Sequence, residues 1–328
     1  MKPTQTVGAA GSAALMALLA AFPSQAQDAS DYPQEPVRVI VPYAPGGATD
    51  IIGRVFAQAL GTHFKQTFYV ENRPGGGQVI GTDFVARAAK NGNTLLFGTV
   101  THAINATLVP KLPYDSLKDF APVSVLATSP MVCVVPASLK IRSLREFVDA
   151  AKAQPNKFSY ASSGAGSPGQ LAAEAVKHAA GISVVHIPYK GASQTTADLM
   201  SGRVQFLCVS PIPIMAQIKD GSLIALAVTS NERSPILPDT PTMREAGLEV
   251  PEIQSWYGFF APAGTPAAIV ERISKVAVES LQDPQVKKMM QENGLTPIGN
   301  NPRDATDYLR DEIVKWRKMI EAANIKLG

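Results

Sequence analysis

Val37-Arg-Val-Ile-Val-Pro-Tyr-Ala-Pro-Gly-Gly-Ala-Thr-Asp50 is the stretch on which the reading of this chain turns. The apolar run Val37 to Val41 predicts a buried parallel strand. Pro42 and Pro45 end it, because proline has no N–H to give to a ladder. Gly46 and Gly47 allow backbone angles that other residues resist. Thr49 or Asp50 is then expected to cap a helix running to about Leu60, with Gly61 as its stop. A strand, a glycine turn and a helix start aim unpaired N–H groups and the positive end of a helix dipole at one point. An anion is stable there.

Outward from this unit the pattern recurs. Phe68 to Val70 predicts a strand, Val79 to Ala89 a helix and Leu95 to Phe97 a third strand. Thr101 is expected to cap the next helix. From Val123 the alternation restarts, with Met131 to Val135, Phe158 to Ser162, Val184 to Ile187, Val204 to Val209 and Leu223 to Val228 as strands. Ser143 and Glu146 form a capping-box pattern ahead of a helix to Ala153. Ser193 is expected to cap a helix to Met200. Ser255 to Ala261 is the last predicted strand, and amphipathic helices follow it. The order predicts two α/β domains, each a mostly parallel sheet flanked by helices. The second is inserted: residues 27–127 with 252–328 form domain 1, and 128–251 form domain 2. Two connections between domains make a hinge.

The bulk properties agree. The chain has 328 residues, enough for two cores. With 45% hydrophobic and 17% charged residues it has the composition of a folded protein. The formal charge is +3, with no basic stripe, which excludes nucleic acid as a partner class. The first 26 residues read as a secretory signal peptide. Lys2 is the positive end, Val7 to Phe22 the apolar run, and Ser24-Gln25-Ala26 a small-x-small cleavage site. The mature chain is expected to begin at Gln27, outside the cytoplasm. No cysteine follows the cleavage site, so no lipid anchor is indicated. Two cysteines and four scattered histidines carry no metal-ligand spacing. Cys133 and Cys208 each sit in an apolar run and read as small buried hydrophobes. Export permits a bridge between them, but spacing alone does not place the two strands side by side.

Gly164-Ala-Gly166-Ser-Pro-Gly169 matches the dinucleotide fingerprint G-x-G-x-x-G between a strand and a helix. The next strand ends His186-Ile-Pro-Tyr-Lys190, with no acid for a ribose hydroxyl. Pro168 removes one N–H, and export takes the chain away from the nicotinamide pool. No cofactor is therefore expected, whereas an anion site needs none of the missing pieces. The same turn lies one residue away from a nucleophile elbow around Ser167. There the oxyanion donor would be Pro168, which has no N–H. A serine hydrolase using Ser163 or Ser167 with His102 or His186 is the competing reading. Thr101-His102 lies at a strand's C-terminal end, where ligands bind in open α/β sheets. Tyr43 and Trp256 either line a pocket or pack between domains. Lys190 either steers an acid or is simply solvated.

Several stretches together resemble the tripartite tricarboxylate transporter receptors, also called Bug proteins. They are Val41-Pro-Tyr-Ala-Pro-Gly-Gly-Ala-Thr-Asp50, Glu71-Asn-Arg-Pro-Gly75, His186-Ile-Pro-Tyr-Lys-Gly191, Asp198-Leu-Met-Ser-Gly202 and Ala261-Pro-Ala-Gly-Thr-Pro266. The resemblance spans the expected mature chain. It implies a Venus-flytrap fold, a carboxylate in the interdomain cleft, and no enzymatic activity. It also implies a monomer in the periplasm of a Gram-negative bacterium, with the membrane subunits of a tripartite transporter as partners. Carried over residue by residue, Tyr43, Pro45, Gly46, Gly47, Ala48, Thr49 and Asp50 face Ser162, Ser163, Gly164, Gly166 and Ser167 across the ligand. Thr101, His102, Tyr189, Lys190 and Gly191 complete the wall. Where many members carry an aspartate near a strand end, this chain has Val209 and Ser210. That departure disfavours an amino acid and favours a flatter, more apolar acid of the phthalate type. A sensor that presents its closed form to a signalling kinase is a third class of function, which the sequence does not separate from transport.

Overall fold

The computed structural model describes residues 31–322. The expected signal segment, residues 1–26, and the chain end, 323–328, lie outside the described residues. Elements are numbered along the chain. The first sheet contains β1 (Val37–Val41), β2 (Phe68–Asn72), β3 (Thr94–Thr99), β4 (Phe120–Pro130), β10 (Gln254–Pro262) and β11 (Thr296–Pro297). Their order is β11-β4-β10-β3-β1-β2. The second contains β5 (Val132–Pro136), β6 (Ser159–Ser162), β7 (Val185–Pro188), β8 (Phe206–Val209) and β9 (Leu223–Val228), ordered β7-β6-β8-β5-β9. Helices flank both: α1 (Ala48–Phe64), α2 (Val79–Ala86), α3 (Thr101–Leu108), α4 (Leu144–Ala153), α5 (Pro168–Ala180), α6 (Ala192–Met200), α7 (Met215–Lys219), α8 (Ala267–Glu279), α9 (Pro284–Glu292) and α10 (Pro302–Ala322).

Both sheets are mixed rather than mostly parallel. β2, β1 and β3 run parallel, as do β7, β6 and β8. β10 is antiparallel to both β3 and β4, and β5 is antiparallel to β8 and β9. The cause is connectivity. β4 leads out of the first sheet directly into β5, and β10 brings the chain back beside it. Neighbouring strands that carry a chain out and back must run in opposite directions. Thr229 ties these crossings together. Met131 N donates to its Oγ1 at 2.9 Å, its own N donates to Met131 O at 3.0 Å, and its hydroxyl donates to Ile253 O.

Local chemistry moves several expected boundaries. Gly47, not Thr49 or Asp50, is the N-cap of α1. Asp50 sits in the first turn and reaches back to the N–H of Gly46 at 3.0 Å. Gly61 does not stop this helix; it continues to Phe64, and Lys65 turns left-handed and donates its N–H to Gly61 O. In α4, Ser143 accepts from Glu146 N, while the Glu146 carboxylate accepts from Arg142 N rather than from Ser143. α5 starts at Pro168, because Ser167 caps it and proline suits the first helical position. α6 begins at Ala192 with Gly191 as its N-cap residue, not Ser193. Thr101 does not cap α3, since its hydroxyl is turned to Tyr43.

Cys133 and Cys208 face each other in register across β5 and β8 and form a disulfide. No helix among the described residues is long and apolar enough to cross a membrane.

Candidate ligand-binding site

Two helix starts meet at one cavity between the sheets. α1 follows β1 through the Pro-Gly-Gly turn, and α5 follows β6 through the Ser163 to Ser167 turn. The cavity encloses about 50 Å³. On the first side its wall is Tyr43, Ala44, Gly47, Ala48 and Thr49; on the second it is Ser163, Pro168, Gly169, Cys208, Val209 and Ser210. Met131, Ser255 and Tyr257 close it from the crossing strands. Within α1 the first turn's N–H groups have no carbonyl one turn back, so Ala48 and Thr49 offer theirs outward. In α5, Pro168 has no N–H and Gln170 N is bonded to Ser167 Oγ, which leaves Gly169 N as the donor. Gly169 has no alternative here: a Cβ would lie 2.2 Å from Cys208 O.

No lining residue of this cavity carries a formal charge. Its polar side chains are the hydroxyls of Thr49, Ser163, Ser210, Ser255 and the two tyrosines. Tyr43 presents its ring, because its hydroxyl is held by Thr99 at 3.2 Å, Thr101 at 3.1 Å and the amide of Gln78. Burial raises the Tyr43 pKa and keeps it neutral. Burial likewise pushes Tyr257 up to about 12, despite hydrogen bonds with Ser210 and Ser255.

A second cavity of about 230 Å³ adjoins the first, and Tyr43 and Ser163 line both. Its other walls include Gly75 to Gln78 from the first side, and Gly164, Ser167, Tyr189 and Lys190 from the second.

Of the expected wall residues, Tyr43, Gly47, Ala48, Thr49, Ser163, Val209 and Ser210 line the first cavity. Gly164, Ser167, Tyr189 and Lys190 line only the second. The others do neither. Pro45 and Gly46 are exposed. The Asp50 carboxylate is committed to Gly46 N, Asn72 Nδ2 and Arg54 Nη2. Desolvation alone would raise its pKa, but those three partners outweigh it and hold the group below the ordinary carboxylate range. Thr101 supports Tyr43 from behind. Gly166 packs on α3, its N–H bonded to Gln170 Oε1. Gly191 packs against Ala44.

Two expectations are corrected outright. His102 faces the core, between Phe120 at 4.7 Å and Phe260 at 5.1 Å, with Nε2 3.0 Å from Ser116 O. Burial lowers its pKa to about 4. Trp256 also faces the core, donating to Glu312 at 3.0 Å. Successive strand side chains point to opposite faces, so its neighbours Ser255 and Tyr257 line the cavity instead. That alternation was visible in the sequence; which face met the cleft was not.

Ser162 is fully buried beside His186, with Oγ and Nε2 2.7 Å apart. Gln170 Oε1 accepts from Gly166 N, so its amide nitrogen, 3.3 Å from His186 Nδ1, is the donor there. Nε2 therefore carries the ring proton and donates to Ser162, whose hydroxyl donates to Gly164 O at 3.0 Å. A histidine so placed is no base for that serine. Of the two candidate nucleophiles, Ser167 is spent as a helix cap and Ser163 lines both cavities. Among the described residues no group of three His, Cys, Asp or Glu is placed to hold a metal ion.

A family model described as "Tripartite tricarboxylate transporter family receptor" matches residues 52–325. This chain belongs to that family. Among its relatives, the protein BugT of Bordetella pertussis is 34% identical over 301 residues, covering 91% of this chain and 92% of BugT. A UPF0065 protein of a Pseudomonas strain is 36% identical over 298 residues, covering 90% and 89% of the two chains. Among solved structures, periplasmic binding protein BugD superposes with a TM-score of 0.87 at 31% identity, covering 90% of the receptor and 99% of BugD. R. palustris Rpa4515 with adipate gives 0.87 at 33%, covering 90% and 99%. MatC from Rhodopseudomonas palustris with bound malate gives 0.84 at 28%, covering 88% and 100%. The receptor thus has the two-domain α/β fold of periplasmic binding proteins, and its family and structural neighbours are solute-binding proteins, not enzymes.

Proposed function

We propose that the receptor captures a small organic carboxylate in the periplasm and presents it to the membrane subunits of a tripartite tricarboxylate-type transporter. The observation that carries this is the meeting of two helix N-termini, one from each side, at a cavity lined by hydroxyls and free of charged side chains. A carboxylate there is held by Ala48, Thr49 and Gly169 N–H groups and by hydroxyls of Thr49, Ser163 and Ser210. It contacts both lobes only when they are closed, so binding shifts the population toward closure. The lobes are residues 27–127 with 252–328, and 128–251, and the hinge is the Met131–Thr229–Ile253 crossing. Residues 1–26 direct export and are removed.

The neighbours holding adipate and malate support an acid ligand. Trp256 faces the core, so Tyr43, not Trp256, is the sequence-expected aromatic side chain that lines the cavity, together with Val209 and Ser210. The deciding experiment is calorimetry and thermal shift against a panel containing adipate, malate, phthalate and terephthalate. Saturable binding of at least one acid with a raised Tm is expected. No response to any acid overturns the proposal.

A further inference from the structure

Building on that carboxylate-receptor reading, we infer that His186 and Gln170 are positioning residues for the turn from Ser163 to Ser167, and that the neutral imidazole of His186 ties Gly164 and Gly166 in place until a proton breaks the tie. The receptor then holds its acid at neutral pH and lets it go as the medium turns acidic. Neither side chain lines either cavity, so both act through the turn.

The tie is a chain of hydrogen bonds that begins and ends on the turn. Gly166 N donates to Gln170 Oε1 at 2.7 Å, and Gln170 Nε2 lies 3.3 Å from His186 Nδ1. On the far side of the ring, Nε2 lies 2.7 Å from Ser162 Oγ. That hydroxyl donates to Gly164 O at 3.0 Å and accepts from Gly164 N at 3.3 Å. Only an imidazole that accepts at Nδ1 and donates at Nε2 closes the chain. A proton on Nδ1 would meet the amide hydrogens of Gln170. If the amide stays, two donors face each other. If it turns over, Nδ1–H gains an acceptor, but the NH2 group then faces Gly166 N, which is buried and loses its partner. Gly166 is also where the turn meets the first lobe. Its φ is +75°, and a Cβ there would lie 3.1 Å from Asn105 Oδ1 and 3.2 Å from Leu108 Cδ2. A turn loosened at this point carries Ser163 and the start of α5 with it.

The surroundings set where the ring takes its proton. His186 is half-buried, so solvent reaches it. From β6, Tyr160 stacks on it at 4.7 Å. From α5 come Glu174 and Lys177, paired at 2.8 Å, and the Tyr160 hydroxyl donates to the same Glu174 carboxylate. The charge of Glu174 is thus answered before it reaches the imidazole. On the other face of these strands, where Ala161 and Ile187 pack with Leu199 of α6, the charges are Asp198 and Arg203, paired with each other, and Asp198 also accepts from Tyr189. Desolvation, with Lys177 adding to it, outweighs the pull of Glu174 and lowers the His186 pKa. The ring is therefore neutral at pH 7 and charges on the acid side of the ordinary histidine value of roughly 6.5. Because the charged ring belongs to the loosened turn, affinity is full at neutral pH and falls as the pH drops through the folded pKa.

The test follows the wild-type receptor and Gln170→Glu from about pH 8 to about pH 5. NMR on the ligand-free proteins reads the His186 imidazole, the Gly164 and Gly166 amide shifts, and the protection of Gly166 N–H from exchange. Calorimetry reads adipate affinity, relative to each protein's own value at the alkaline end, so that the titration of adipate itself cancels between the two. In the wild type both glycine amides are expected to shift with the imidazole midpoint, and Gly166 protection to fall at least tenfold as the ring charges. A glutamate at position 170 still accepts from Gly166 N and also offers Nδ1–H a charged acceptor. Gln170→Glu is therefore expected to raise the imidazole midpoint by about one pH unit or more, to keep Gly166 protected at the acid end, and to lose at least fivefold less adipate affinity than the wild type. Glycine amides indifferent to the imidazole, a midpoint unmoved by Gln170→Glu, or equal acid loss of adipate affinity in both proteins overturns the positioning role while the receptor reading stands. Failure of adipate and every other acid to bind overturns the receptor reading and the release with it, and the ligand-free spectra still decide whether His186 holds the turn.

Discussion

Trp256 and Trp316 donate their indole N–H groups to the same carboxylate oxygen, Glu312 Oε2, at 3.0 and 2.8 Å. They are the only tryptophans in the chain. Lys315 Nζ, 3.0 Å from Oε1, neutralises the charge. The arrangement joins α10 to β10, the strand whose Ser255 and Tyr257 close the ligand cavity. Glu312→Leu would leave two buried donors unsatisfied and is expected to cost about 2–4 kcal/mol. Denaturant unfolding measures it; a loss under about 0.5 kcal/mol would show that the indoles find other partners.

Gly191 offers a way to separate closure from folding. A Cβ there would sit 2.8 Å from that of Ala44, across the cleft. Its φ of 174° is ordinary extended backbone, so alanine carries no strain of its own. Gly191→Ala is expected to wedge the lobes and to weaken acid binding about tenfold, with the Tm of the ligand-free receptor unchanged. Wild-type affinity in this variant would mean that the ligand is gripped without this contact.

His102 makes stability depend on pH. Its folded pKa, about 4, lies below the value of roughly 6.5 in an unfolded chain. Between these the unfolded state binds the extra proton. Stability is thus full above about pH 6.5 and falls as the pH drops toward 4, by roughly 3 kcal/mol from this group. His102→Phe should flatten that part of the curve while leaving acid binding intact. An unchanged slope would mean that the ring is not desolvated as its neighbours indicate.

The disulfide between Cys133 and Cys208 closes a loop of sequence separation 75. Replacing both with alanine is expected to cost about 2–4 kcal/mol. Because Cys208 and Val209 form part of the cavity wall, ligand affinity measured on the same variant tests whether the bridge also holds the end of β8 in place.

The first strand, turn and helix start were legible because their signals are local: an apolar strand, two prolines, two glycines and a helix start within fourteen residues. The partner turn at Ser163 to Gly169 was legible for the same reason. What depends on how strands lie beside one another was not. The alternation of Ser255, Trp256 and Tyr257 is plain, but the side facing the cleft is decided by α10, which supplies Glu312 far along the chain. His102 follows the end of a strand, where ligands often bind, yet it packs inward between Phe120 and Phe260. β10 runs antiparallel to β4 because the two carry the chain out and back side by side, and strand spacing carries no record of that. Asp50 was misplaced because its carboxylate is filled by three donors: Gly46 N just before the helix, Arg54 one turn along the same helix, and Asn72 from β2.

In the proposed mode of capture the acid is held by peptide N–H groups, and those of Ala48 and Thr49 do not depend on which side chain sits there. Mutation can replace a hydroxyl nearby, but short of proline it leaves the N–H groups of Ala48 and Thr49 in place. An anchor of this kind survives drift in everything around it, so a lineage can retune the far end of its guest and keep the hold on the near end. Rpa4515 with adipate and MatC with malate share this chain's fold at 33% and 28% identity.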